Sequence, residues 1–105
     1  MSIEQQVEIL NSLVKIMHGS AHGQYDEMCC EFEHEVDDGG WSVGSKYSFV
    51  RDGLIVSEIL DDPEDKVSDF VHKLHEIMRS HTGGDWKKFV LAVGSGGKAN
   101  TKFIY

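Results

Sequence analysis

The sequence predicts an α+β fold, a two-layer sandwich with helices laid on an antiparallel sheet of about five strands. Three observations predict it. Two segments carry apolar residues at helical spacing, and five read as strands by alternation or as a short apolar run. Turn-forming clusters separate these segments in the order α-β-β-β-α-β-β. With 105 residues and no linker, repeat or low-complexity tract, residues 1–105 read as one domain.

The first segment, SIEQQVEILNSLVKIMH, opens with Ser2 and Gln5 in a capping-box relation. Ile3, Val7, Leu10, Val14 and Met17 form its apolar stripe, and Ile9, Leu13 and Ile16 widen that stripe to about half the cylinder. A helix lying on a sheet needs less, so the surplus is expected to meet a second helix or a second copy of the protein. Gly19 to Gly23 should end the helix as a loop.

The next stretch, YDEMCCEFEHEV, fits both periods. A strand sends Met28, Cys30, Phe32 and Val36 to one face, and Glu27, Cys29, Glu31, Glu33 and Glu35 to the other. A helix would set Tyr25, Met28, Cys29 and Phe32 against Glu27, Glu31 and Glu35. The strand is preferred because DDGG leads straight into WSVGSKYSFV, where Trp41, Val43, Tyr47 and Phe49 alternate, and a hairpin explains both halves. Arg51-Asp52-Gly53 predicts a second tight turn, and LIVSEIL a third strand. In DDPED, Asp62 can cap a helix with Pro63 at its first position and acids at the positive end of its dipole. Val67, Phe70, Val71, Leu74, Ile77 and Met78 give that helix a narrow stripe, and Thr82-Gly83-Gly84 stops it. WKKFVLAV and KANTKFIY, joined by Gly94 to Gly97, complete the sheet as a hairpin.

Composition narrows the function. At 40% apolar and 27% charged residues the chain reads as globular, with apolar runs far too short to span a bilayer. Its opening residues lack the basic and apolar regions of a signal peptide. Cys29 and Cys30 are adjacent, fit neither zinc spacing nor a CxxC pair, and would be strained as a bridge. A reduced, cytoplasmic protein is expected. The formal charge of -8 argues against binding nucleic acid or an anionic membrane, and favours a basic partner. Residues 25–38 hold seven acids and no Lys or Arg; residues 86–105 hold four lysines and no acid, which predicts a bipolar molecule.

The sharpest candidate site is the acidic ladder Glu27, Glu31, Glu33 and Glu35, extended by Asp37 and Asp38. Alternate carboxylates on a strand are roughly 6.6 Å apart and repel by about 0.6 kcal/mol per pair in water. A merely solvated face tends to mix signs to avoid that cost. The ladder therefore reads either as an acidic open sheet face or as a docking surface for a cationic partner. Paired catalytic carboxylates would need a pocket and a perturbed pKa. DDPEDKVSD lacks the calcium-loop spacing, and GSGGK lacks the remainder of a phosphate loop. His72 and His75, three apart on the second helix, do not match the HExxH spacing; His75 should flank the core stripe, His72 should point away, and His34 should sit on the apolar side of its strand. The aromatic residues alternate as core, with one or two at strand ends able to anchor an interface. No catalytic, cofactor or metal site is expected.

In GGDWKKFVLAVGSGGKANTKFIY, Trp86 stands where the strand begins, Phe89 and Leu91 alternate, Gly97 lies at the turn, and Phe103 and Tyr105 close the strand. With YSFVRDGLIVSEIL and the preceding helix, this pattern resembles the YezG-like immunity proteins over residues 25–105. The resemblance implies the same element order and a small bacterial cytoplasmic antitoxin. Its partner would be the cognate basic toxin domain, a nuclease, neutralised without catalysis. On that reading the acidic ladder steers association with the toxin and covers or flanks its phosphate-binding cleft. Two rivals remain: a small metal-dependent hydrolase built on the carboxylates and histidines, and a homodimeric scaffold joined through the first helix.

Overall fold

The computed structural model describes residues 3–62, 65–94 and 96–105; the expected roles of Ser2 and Pro63 lie outside the described residues. Its elements are α1 (Ile3–Ser20), β1 (Glu27–Asp37), β2 (Gly40–Arg51), β3 (Leu54–Glu58), α2 (Val67–Thr82), β4 (Lys88–Val93) and β5 (Ala99–Ile104). The strands form one antiparallel sheet in the order β3-β2-β1-β4-β5, so the acidic strand is central. Both helices pack on one face of it. This is the α+β sandwich that the alternating patterns predict.

One face of β1 supplies Met28, Cys30, Phe32 and His34 to the interior, where Phe32 stacks on Phe89 with ring centroids 5.0 Å apart. Trp86, Leu91 and Val93 extend this layer, and Leu13, Met17, Val71, Leu74 and Ile77 close it from the helices. Burying side chains of this size stabilises by roughly 1.5–3 kcal/mol each, and this layer is the main source of stability.

The wide apolar arc of α1 is used within the chain. Ile9, Leu13 and Met17 are buried, Leu10, Val14 and Ile16 pack against the core, and α1 lies against α2. Val7 remains exposed. The helix also continues through Gly19 to Ser20, past the expected stop, because its last turn is held from outside. Ser20 Oγ donates to Ile16 O at 2.7 Å and accepts from the Asp61 N–H at 2.8 Å. Tyr47 Oη donates to Met17 O at 2.6 Å, and Arg51 donates to the carbonyls of Ala21 and Gln24. Arg51 also stacks over the Phe49 ring at 4.7 Å.

Two further boundaries differ from expectation. β3 ends at Glu58, opposite Tyr47, leaving Ile59 exposed and turning Leu60 toward the core. α2 starts at Val67, later than the DDPED pattern suggests. Asp62 still caps it, reaching over the intervening residues to accept the Lys66 and Val67 N–H groups at 2.9 Å each. The helix ends where Gly83 adopts φ 73° and donates to Arg79 O, the left-handed cap that glycine accommodates. At the β2–β3 turn both Asp52 and Gly53 are left-handed, with φ 54° and 77°, as a two-residue hairpin turn of matching twist requires.

One consequence of strand length positions the site. β4 pairs with β1 only from Met28 to Glu33, and β3 pairs with β2 only from Tyr47 to Arg51. One further bond, from the His34 N–H to Lys87 O at 2.8 Å, ties the base; beyond it the β1–β2 hairpin runs on alone to the Asp38-Gly39 turn. It forms a two-stranded arm whose base lies over α2.

Candidate partner-binding arm and its histidine stack

The six acids of the ladder fall into two environments. Glu27, Glu31, Glu33 and Glu35 all sit on the open face of β1, as alternation predicts. In the sheet, however, Glu31 lies opposite Lys46 on β2, and Glu33 opposite Lys88 on β4. Lys88 Nζ reaches Glu31 Oε1 at 2.7 Å. The hydrogen bond from Lys88 holds the Glu31 carboxyl below the usual range, and the same contact raises Lys88. Lys102 pairs with Val90, one strand further out on the same face. The bipolar separation expected from the sequence is therefore undone where β4 lies beside β1, and signs alternate across the sheet.

On the arm the balance differs. Glu35, Asp37 and Asp38 are exposed, and among the described residues no ion pair involves them. Asp37 Oδ1 instead accepts the Gly39 N–H at 2.8 Å and shapes the turn. Val36, with 71% of its surface exposed, and Trp41, with 41%, occupy the other face of the same arm. Both have the parity of core residues; Val36 lies past the end of the covering layer, and Trp41 covers α2 with one ring face while the rest stays open. The arm thus combines uncompensated carboxylates with an aromatic anchor.

The base of the arm holds a feature that the sequence does not announce. His34, 3% exposed, and Trp41 from the arm meet His72 and His75 from α2. Trp41 stacks on His72 at 3.9 Å with 4° between planes, and His34 stacks on His75 at 4.1 Å with 13°. His34 Nε2 and His72 Nδ1 share a hydrogen bond of 2.9 Å. His75 Nε2 faces Asp85 Oδ1 at 3.0 Å, its Nδ1 is 3.7 Å from Glu76 Oε1, and Trp86 closes the inner end edge-on. Burial, then the neighbouring His75 and His72, push His34 down to about 4, so it is neutral at pH 7. The hydrogen bonds from His75 and Lys87 hold Asp85 below the ordinary range. His72 is half-buried under Trp41; its expected outward orientation is corrected, because the arm covers that side of the helix.

A cleft of about 840 Å³ opens beside this stack, lined by His34, His75, Asp85 and Trp86 together with Glu35, Arg79 and Lys87. Among the described residues no group of three or more His, Cys, Asp or Glu is placed to hold a metal ion. Imidazole lone pairs lie in the ring plane, so two parallel rings 4.1 Å apart do not point at a common ion. The remaining histidines are separate: His18 Nδ1 bonds Tyr25 Oη at 2.8 Å, and His22 lies 3.9 Å from Asp61. Cys29 is half-buried on the open face and Cys30 buried on the other; both are free thiols.

In sequence the chain is 35% identical, over 78 residues, to a Stenotrophomonas maltophilia protein named chorionicgonadotropic hormone-like protein. The match covers 72% of this chain but 18% of that protein, so most of this chain corresponds to less than a fifth of the relative. No family model matches. Among the described residues no helix is long and apolar enough to cross a membrane.

Proposed function

We propose that this chain is a non-enzymatic immunity protein that binds and neutralises a basic bacterial toxin domain of the nuclease class, using the β1–β2 arm. The observation that carries the reading is the arm's pairing of uncompensated Glu35, Asp37 and Asp38 with the exposed Val36 and Trp41. A net charge of -8 attracts a cationic partner over several ångströms, and an aromatic side chain ringed by polar groups is the usual anchor once contact is made. Glu27, Glu31 and Glu33 extend the negative field along the sheet, with Glu31 partly neutralised by Lys88. The charge suits a surface that covers or flanks a phosphate-binding cleft; the resemblance to YezG-like immunity proteins supplies the toxin class and the cytoplasmic setting.

The test is to sequence the neighbouring genes for a toxin with a basic C-terminal domain and to measure binding kinetics against that domain. Glu35→Lys with Asp37→Lys should slow association about tenfold at low salt and abolish protection of cells expressing the toxin. Unchanged association would remove the arm from the interface. An enzymatic reading draws on the His75–Asp85 pair beside its cleft. It predicts a rise in melting temperature with zinc, manganese or calcium, or with a bound substrate.

A further inference from the structure

Beside the His34 N–H to Lys87 O bond and the packing of Val43 on the core, three of the side chains that hold the base of the arm are titratable rings. His34 and Trp41 come from the arm, His72 and His75 from α2, and every ring stacks on a ring from the other element. The His34–His72 hydrogen bond of 2.9 Å exists only while one of its two nitrogens lacks a proton. A second proton would set two N–H groups face to face with a positive charge between them.

The charges around the stack disfavour a proton on His34. From α2, His72, His75 and Glu76 act on His34; from the segment before β4, Asp85 does. Both carboxylates flank His75, at 3.0 and 3.7 Å, and the stacked His34 ring has none at such a distance among the described residues. Glu33 and Glu35, its neighbours on β1, point to the opposite face of the strand. Arg79 and Lys87, along the same cleft, add positive charge.

We propose that the histidine stack is an acid-labile latch, holding the arm against α2 while His34 is neutral and releasing it when His34 takes up a proton. As regulation of toxin binding this rests on the function proposed above; the latch itself is a property of the free chain and is tested without any partner. The direction follows from proton linkage. An undocked His34 titrates near 6.5 and the docked one near 4, so the released arm binds a proton that the docked arm refuses. Docking is complete above about pH 6.5 and weakens as pH falls toward 4.

Two-dimensional amide spectra of the full chain, titrated from about pH 7.5 to about 4.5, read this directly. Amides of residues 34–43 should move together toward unstructured positions, while those of β4 stay native. His34→Leu, apolar and of similar bulk, should keep the arm docked across that range, as should His72→Gln under Trp41 to a lesser extent. Spectra at neutral pH establish that each variant folds. Arm amides that move no more than β4 amides in the unaltered chain would overturn the latch, whatever the variants do. So would an unchanged transition in a folded His34→Leu. Acid release without any effect of Glu35→Lys and Asp37→Lys on toxin binding would uphold the latch and sink the interface.

Discussion

The two halves of β1 carry acids at the same spacing yet face different fates. From Met28 to Glu33 the strand has a partner on each side, and β2 and β4 bring Lys46 and Lys88 opposite its glutamates. Past His34, whose N–H still reaches Lys87 O, it has β2 alone, and Glu35, Asp37 and Asp38 meet water. Inner and outer halves also differ below the sheet: Phe32 is fully buried, whereas Val36, at the same parity, is 71% exposed. What a carboxylate can do for a partner depends on its cross-strand neighbours, not on the run of sequence that contains it.

The sharpest way to break this comparison is through the buried faces. Phe32→Ala should cost about 3–5 kcal/mol, because a well-packed aromatic leaves a cavity, whereas Val36→Ala should stay within about 0.5 kcal/mol. Urea unfolding of both variants checks this, and equal losses would mean that the arm is packed as firmly as the sheet. Acid comes next. His34 shifts from 6.5 to about 4, and each unit corresponds to about 1.36 kcal/mol, so roughly 3 kcal/mol is present above pH 6.5 and lost as pH falls toward 4. Denaturant midpoints measured across that range should show the loss, and His34→Leu should remove it.

Charge reversal separates the halves further. Glu31→Lys with Glu33→Lys should lower the denaturation midpoint, since it sets new cations against Lys46 and Lys88, and should affect toxin association less. Glu35→Lys with Asp37→Lys should lower the midpoint only by the lost turn hydrogen bond to Gly39, about 1 kcal/mol, while slowing association about tenfold. The smallest contrast is neutralisation. Glu31→Gln should lower the midpoint slightly by freeing Lys88, and Glu35→Gln should leave it unchanged or raise it by relieving repulsion on the arm.

Much of the fold was legible because periodicity reports directly on which face is buried. Phe32, Phe89, Leu74 and Leu13 announce their burial by spacing alone. The site was legible in part. The acidic parity of β1 could be read, but not that Lys88, more than fifty residues away, would sit beside Glu31 and Glu33; cross-strand register is a property of topology. Two of the three stacked histidines are legible as inward-facing, although their meeting is not. His34 lies at an inward parity on β1 and His75 beside the core stripe of α2, and two inward-facing imidazoles in one thin layer must find each other or some other partner. His72 gave no such sign, since its burial comes from an arm whose reach depends on where β3 and β4 stop.

The ties on α1 gather at one end. Tyr47 Oη on Met17 O, Asp61 N on Ser20 Oγ and Arg51 on Ala21 O all grip its final turn. A rod clamped at one extremity loosens from the other, so hydrogen exchange along α1 should slow progressively from Glu4 toward Met17. Proteolytic nicking should then begin in the opening turns of the chain, well before the clamp gives way.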